Sequence, residues 1–222
     1  GLKHSGMTKT SRRDHFHLAQ SQGEAGRGSA RGKVFVVSGP SGSGKSTLLN
    51  KVQSKREFLG NLVKIVTVTT RQPRKGEQDG RDYRFLDKDE FLRRLKNKEF
   101  AESEEVFGEY YATPKEALLR VINQGRDALL CVDVYGARSI KRAFPQEAIL
   151  IFISVADLEK LRERLRQRST ETKEGLKRRL KIAQKELTCA KNYDYIVNND
   201  VLPEAVKKLS SIITAERLRV GR

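Results

Sequence analysis

The stretch Val34–Leu49 constrains this 222-residue chain more than any other. Val34-Phe35-Val36-Val37-Ser38 is apolar, rich in β-branched residues and of strand length. Gly39-Pro40-Ser41-Gly42-Ser43-Gly44-Lys45-Ser46-Thr47 follows, and Leu48, Leu49 and Val52 then recur as on one face of a helix. This is the pattern G-x-x-x-x-G-K-[ST] in the strand–loop–helix context it requires. The residue types follow from the chemistry of a polyphosphate. Glycines let backbone N–H groups close round phosphate oxygens with no Cβ in the way. A helix beginning near Lys45 adds the positive end of its dipole. Lys45 can reach the β- and γ-phosphates, and Ser46 can place its hydroxyl on Mg²⁺.

Composition bounds the rest. The length suits one compact domain with inserted lobes and a real core. The formal net charge is +17, with 33% charged residues. Nucleic acid is one explanation of that charge. The cations are spread along helices without interleaved aromatics, however, and no zinc-finger, RNP-like or basic-zipper pattern occurs. Phosphate-rich small ligands explain them better, and no dedicated nucleic-acid partner is expected. No apolar run approaches the ~20 residues of a membrane helix, so no membrane partner is expected. Cys131 and Cys189 lie far apart in no metal or redox spacing, which points to reduced thiols and a cytoplasmic protein.

Residues 1–31 read as a disordered tail or tag, polar and aperiodic. Leu62–Thr70 reads as one strand, and Arg71–Arg81 as a loop punctuated by Pro73, Gly76 and Gly80. A short strand is expected at Arg81–Leu86. A helix follows Asp87, with Phe91, Leu92 and Leu95 as its apolar positions. Phe100–Phe107 and Glu109–Tyr111 read as strands joined at Gly108. Thr113-Pro114-Lys115-Glu116 has capping-box spacing, with Pro114 suited to the first helical position. Ala128–Val134 and Ala148–Val155 are continuously apolar strands, the mark of a parallel sheet covered on both faces. Ser154–Asp157 is a second capping-box candidate. It precedes helices carrying Leu158, Leu161 and Leu165, then Leu176, Leu180, Ala183, Leu187 and Ala190, with polar Arg168–Gly175 between them. Tyr195–Asn199 reads as the last strand and Pro203–Arg217 as the closing helix.

From Lys33 to about Val220 the order of motifs resembles guanylate kinase. The phosphate loop is close to that family's form. More specific is Thr67-Val68-Thr69-Thr70-Arg71-Gln72-Pro73-Arg74, followed by Gly76-Glu77, Gly80, Asp82 and Tyr83, then Glu102, Tyr110-Tyr111 and Asp133. The resemblance implies an α/β fold: a P-loop NTPase core with a parallel sheet covered by helices, an inserted small mixed α/β GMP-binding lobe and a helical lid. It divides the chain into a core of 32–70, 114–156 and 188–222, a lobe of 71–113 and a lid of 157–187. It implies Mg²⁺-dependent transfer of the ATP γ-phosphoryl group to GMP, with dGMP left open as an acceptor and a monomer or weak homo-oligomer as the assembly.

The resemblance also implies roles. Gly39, Pro40, Ser41, Gly42, Ser43, Gly44, Lys45, Ser46 and Thr47 bind the ATP phosphates, with Ser46 on Mg²⁺, and Asn198 lies beside the adenine. Arg71 and Arg74, with Tyr83 and Tyr111, hold the GMP phosphate, for which guanidinium forks are suited. Thr67 and Thr113 offer hydroxyls to the base, although the Thr113 hydroxyl is also placed to cap a helix. Asp133 lies near the guanine and the metal's water shell. Lys45, Arg71, Arg164, Arg168 and Arg179 are the catalytic set, the last three from the lid; Arg162, Arg166, Arg178 and Lys181 read as a solvated face. Glu102 checks the base. A carboxylate accepts from guanine N1–H and the 2-amino group, whereas adenine leaves it unpaired at ~1–3 kcal/mol per unsatisfied group.

Three positions depart from the family pattern: Cys131 where an acidic residue is usual, Tyr135 for Gln and Ala112 for Gly. Two other readings stand beside this one at the level of sequence. One is a catalytically dead, peptide-binding module of the same fold; the other is a related P-loop kinase for another phosphorylated acceptor.

Overall fold

The computed structural model describes residues 31–168 and 173–220, except the side chains of 158, 167, 168 and 173. The tail reading of residues 1–31 falls almost wholly outside the described residues, as does most of the polar stretch before Gly175.

Five strands form one parallel sheet in the order β2-β7-β1-β8-β9. They are β1 (Val34–Ser38), β2 (Leu62–Lys64), β7 (Asp127–Cys131), β8 (Ala148–Ser154) and β9 (Tyr195–Asn198). Strand alternation explains the unbroken apolar runs. Phe35 and Val37 face α1 (Lys45–Gln53) and α7 (Leu202–Leu218), meeting Leu48, Leu49, Val52, Leu209 and Ile213. Val34 and Val36 face α3 (Lys115–Asn123) and α4 (Val134–Ala143), meeting Leu118, Ile122, Ala137 and Ile140. Residues 34–37 therefore each bury an apolar side chain on one layer or the other. The C-terminal ends of β1, β7, β8 and β9 open on one edge, where ligands bind in such sheets.

A second sheet of four strands is inserted, in the order β4-β3-β6-β5: β3 (Val68–Thr69), β4 (Arg84–Phe85), β5 (Phe100–Val106) and β6 (Glu109–Pro114). Its core is Val68, Phe91 and Ala112, with Phe91 stacked 5.2 Å from Tyr110. Phe91 lies on α2 (Lys88–Lys96), capped by the Asp87 carboxylate accepting from the Glu90 N–H at 2.8 Å. Leu92, expected inward, is 40% exposed. The stretch 62–70, expected as one strand, is two strands in different sheets. Leu62–Lys64 pairs with β7, while Val68–Thr69 pairs with β4 and β6. Both segments carry strand-forming residues, and nothing local marks the crossing between them.

The helix pair α5 (Leu158–Arg168) and α6 (Lys173–Leu187) has its own small core of Val155, Leu161, Leu165 and Ala183, with Leu176 and Leu180 against it. The cap of α5 is Asp157, whose side chain accepts from the Glu159 N–H. The expected capping box at Thr113 also differs. Pro114 is the cap residue of α3, no side chain caps that helix, and the Thr113 hydroxyl is used elsewhere.

Candidate active site

The phosphate loop connects the end of β1 to α1. Gly39, Gly42 and Gly44 all have positive φ, which winds the loop backbone round a central space. Gly39 also has no room for a side chain, because a Cβ there would lie 2.3 Å from the Ile153 carbonyl oxygen. No side chain caps α1 and no acidic residue sits in its first turn. Its leading N–H groups and dipole are left for an anion. Lys45 Nζ donates to the carbonyls of Gly39 at 2.6 Å and Pro40 at 2.9 Å, arching over the loop it serves. Ser46 and Thr47 are exposed in the first turn of α1, and Ser41 is exposed on the loop. Ser43 is buried, and its carbonyl accepts from Asn199 Nδ2 at 2.7 Å.

Asn199 was not expected; Asn198 was. Asn198 is exposed, and its Oδ1 accepts from the Asp200 N–H. The alternation of β9 explains the difference. Val197 is buried, so the residue two further on shares its face. That period was legible in the sequence, and it singles out Asn199. A cleft beside the loop is lined by Gly42, Gly44, Thr47, Arg164, Asn199, Asp200 and Leu202. Asn199 Oδ1 and Asp200 Oδ1 are buried with no hydrogen-bond partner among the described residues. Arg164 reaches the cleft from α5, donating to the Asn199 carbonyl at 3.4 Å. A larger groove between β9 and α7 is lined by Ile196 and the solvated Lys207 and Lys208, away from the loop.

A second constellation forms where the inserted sheet faces the core. Arg71 is held by a bidentate ion pair with Glu77, at 2.9 and 3.0 Å. Its guanidinium carbon lies 5.3 Å from the centre of the Tyr83 ring, and Tyr83 packs edge-on against Tyr111 at 6.2 Å. Arg71 Nε is buried with no hydrogen-bond partner among the described residues. Glu77 also accepts from the Arg74 N–H at 2.8 Å, so one carboxylate shapes the whole arginine loop. Burial works against that charge, but the hydrogen bonds from Arg71 and Arg74 outweigh it and hold the Glu77 carboxyl below its ordinary range. Burial raises the Tyr83 phenol, which keeps it a hydrogen-bond donor at neutral pH. Arg74 itself is exposed. The sequence pattern contained Glu77, but its part in aiming Arg71 becomes evident only from the geometry.

Glu102 lies deeper, at 8% exposure, on β5. Thr113 on β6 sits opposite it and donates Oγ1–H to its carboxylate at 2.6 Å. Burial pushes the Glu102 carboxyl up to about 8, with the Thr113 hydrogen bond opposing and the Asp133 charge adding. The carboxylate rests against the start of α4. A Cβ on Gly136 would come 2.9 Å from Glu102 Oε2, so a side chain at this helix position would push on that carboxylate. Asp133 caps α4 by accepting from the Gly136 N–H at 2.7 Å, and burial raises its carboxyl. Thr67 is buried just before β3. Of the family departures, Ala112 is buried in the core of the inserted sheet, Cys131 packs against the main core and Tyr135 is 63% exposed.

Arg164 meets the phosphate-loop cleft, and Arg179 lies over the ring of Phe107 on the inserted sheet. The side chain of Arg168 lies outside the described ones. Arg162, Arg166, Arg178 and Lys181 are exposed. Glu186 on α6 is a further unexpected neighbour of the loop. Burial pushes its carboxyl up to about 7 while the Lys45 ammonium pulls it down.

Known proteins are similar to this chain over most of its length. The family model described as guanylate kinase matches residues 31–216. A guanylate kinase from Maricaulis maris is 40% identical over 193 residues, covering 87% of each chain. One from Caldanaerobacter subterraneus is 41% identical, covering 86% of this chain and 91% of its own. The crystal structure of guanylate kinase from Anaplasma phagocytophilum superposes with a TM-score of 0.71 at 35% identity, covering 86% of this chain and 89% of its own. Carrying a phosphate loop on its main sheet and, on its inserted sheet, a buried carboxylate and an arginine–tyrosine cluster, the chain belongs to the guanylate kinase family.

Proposed function

We propose that this chain transfers the γ-phosphoryl group of ATP to GMP, giving ADP and GDP, with Mg²⁺ bound alongside ATP. Glu102 is the observation that supports this most directly: a buried carboxylate bonded by Thr113, with an arginine–tyrosine cluster on the same lobe. Guanine offers N1–H and its 2-amino group to that carboxylate. Adenine has neither donor and would leave the charge unpaired. Thr113 steadies the carboxylate, with Thr67 and Asp133 as further polar neighbours of the base. Arg71, Arg74, Tyr83 and Tyr111 take the acceptor phosphate. The amides of Gly39–Thr47, with Lys45, take the donor phosphates, and the Asn198–Asn199 pair borders the adenine.

Phosphoryl transfer of this kind passes through a loose transition state with charge on the equatorial oxygens. Catalysis is then positioning and electrostatics, and no general base is assigned. Lys45, Arg71, Arg164, Arg168 and Arg179 surround the charge. Closure of the helix pair on the inserted lobe excludes water, the competing acceptor. The exposed Ser46 hydroxyl at the head of α1 fits Mg²⁺ ligation. Mg²⁺ is bound through few protein ligands and keeps waters and substrate phosphate oxygens. When bound, the ion neutralises charge on the β- and γ-oxygens. The lobe of 71–113 and lid of 157–187 are the moving parts of this proposal, with β3 joined to the lobe's sheet. No described helix is long and apolar enough to cross a membrane, and the free thiols Cys131 and Cys189 suit a reducing cytoplasm.

A coupled spectrophotometric assay with ATP and Mg²⁺ against GMP, dGMP, AMP, UMP and ribose 5-phosphate tests the proposal. GMP should be turned over with kcat/KM at least ~100-fold above AMP and UMP, the discrimination expected when a buried charge is left unpaired. Comparable turnover of AMP, or none of GMP, would overturn it.

A further inference from the structure

The β5–β6 hairpin turns through two residues, Phe107 and Gly108, with Val106 and Glu109 paired across it. Both have positive φ, 56° and 81°, as the favoured two-residue hairpin turn demands. Gly108 adopts that conformation freely. Phe107 does not, since a bulky side chain disfavours the left-handed region and Asn, Asp or Gly serve this position better. The ring gains no core position in return, because Phe107 is 53% exposed. Its described ring contact is with the guanidinium of Arg179 on α6, whose central carbon lies 5.7 Å from the ring centroid. That is cation–π range. Arg179 makes other interactions as well. Its helix packs on α5, and α5 carries Arg164 to the phosphate loop. A strained, exposed aromatic at the apex of the acceptor lobe thus touches the helix pair that reaches the donor site. Backbone strain of this kind clusters where function requires it.

We propose that Phe107 is a positioning residue: its ring seats the Arg179 guanidinium and draws α6 onto the acceptor lobe, so that the lid arginines meet the transferred phosphoryl group. This rests on the reading of Arg179 as one of those arginines. The seat needs a π face, a rigid apex and little else, which is why an otherwise poor turn residue occupies it.

Phe107→Asn and Phe107→Gly remove the ring while giving the turn a residue suited to positive φ, so the hairpin is retained. Their thermal midpoints should equal or exceed the parent's. Their kcat should fall about two- to fivefold, the size of an exposed cation–π contact, with Michaelis constants for GMP and ATP within about twofold. Phe107→Trp, with a stronger π face, should restore kcat. Amide hydrogen exchange of α6 in the nucleotide-free protein should quicken in Phe107→Asn and stay at the parental rate in Phe107→Trp. Unchanged α6 exchange in Phe107→Asn overturns the seat, and so does a Phe107→Trp enzyme as slow as Phe107→Asn. Quicker exchange with parental kcat in both Phe107→Asn and Arg179→Ala overturns instead the reading of Arg179, and with it the catalytic consequence of the seat.

Discussion

Glu102→Gln should stabilise the nucleotide-free protein and weaken GMP binding at the same time. Burial pushes the Glu102 carboxyl up to about 8 from an ordinary 4.5. Below about pH 4.5 folded and unfolded chains are both protonated there, so folding carries no penalty. As pH rises from 4.5 to 8 the unfolded chain ionises first, and stability is lost over that window; above 8 the loss is constant. At pH 7 the loss is about 3 kcal/mol. An amide has no such dependence and keeps an oxygen to accept from Thr113. For a domain of this size 1 kcal/mol moves the melting midpoint by about 2–4 °C. The variant should therefore melt about 5–10 °C above the parent at pH 7, and the gap should shrink to about 2 °C at pH 5. GMP binding runs the other way. Two guanine donors demand the ionised carboxylate, so the parent's Michaelis constant for GMP should fall as pH rises from 6 to 8. The variant's should be about 10–100-fold higher and flat across that range, with the ATP constant little changed. Differential scanning calorimetry and initial rates over pH 5–9 read both halves. A melting gap that does not vary with pH would refute the claim that desolvation of this carboxyl governs the site.

Three further outcomes are expected. Lys45→Ala should lower turnover by about 10³-fold, the scale of losing a preorganised charge at the transition state; its far-UV circular dichroism should stay that of the parent, since Lys45 lies in the first turn of α1 and bonds carbonyls of its own loop. Gly136→Ala places a Cβ 2.9 Å from Glu102 Oε2, so it should raise the GMP Michaelis constant more than the ATP one. Helix propensity favours the alanine by up to about 1 kcal/mol, so a large loss of thermal stability in that variant would refute a local push on Glu102. Asn199→Ala removes the buried bond to the Ser43 carbonyl and should cost about 1–3 kcal/mol in urea denaturation, together with a higher ATP Michaelis constant; the same substitution at exposed Asn198 should cost far less.

The features legible in the sequence are those whose physics is local. The phosphate loop is readable because strand, glycines, Lys45 and Ser46 must be contiguous to wrap a phosphate. The parallel sheet is readable because strands buried on both faces lose their polar alternation. Choices among equivalent neighbours were settled by long-range packing. The strand signal of 62–70 serves two sheets, because β-branched residues suit either and only the partners β7 and β6 separate them. Glu99, Glu102, Glu104 and Glu105 are alike in composition. Resemblance to a family could point to Glu102, but its burial comes from the start of α4, where Gly136 makes room, and from Thr113 across the hairpin. Thr113 shows the same division: its spacing suits a helix cap, yet the Glu102 carboxylate beside it takes the hydroxyl. The sequence by itself therefore determined which chemistry this protein holds and the order of its parts. Tertiary structure decided which side chain of each similar set is buried at the site, because burial and facing depend on residues 11 to 156 positions away that no local pattern contains.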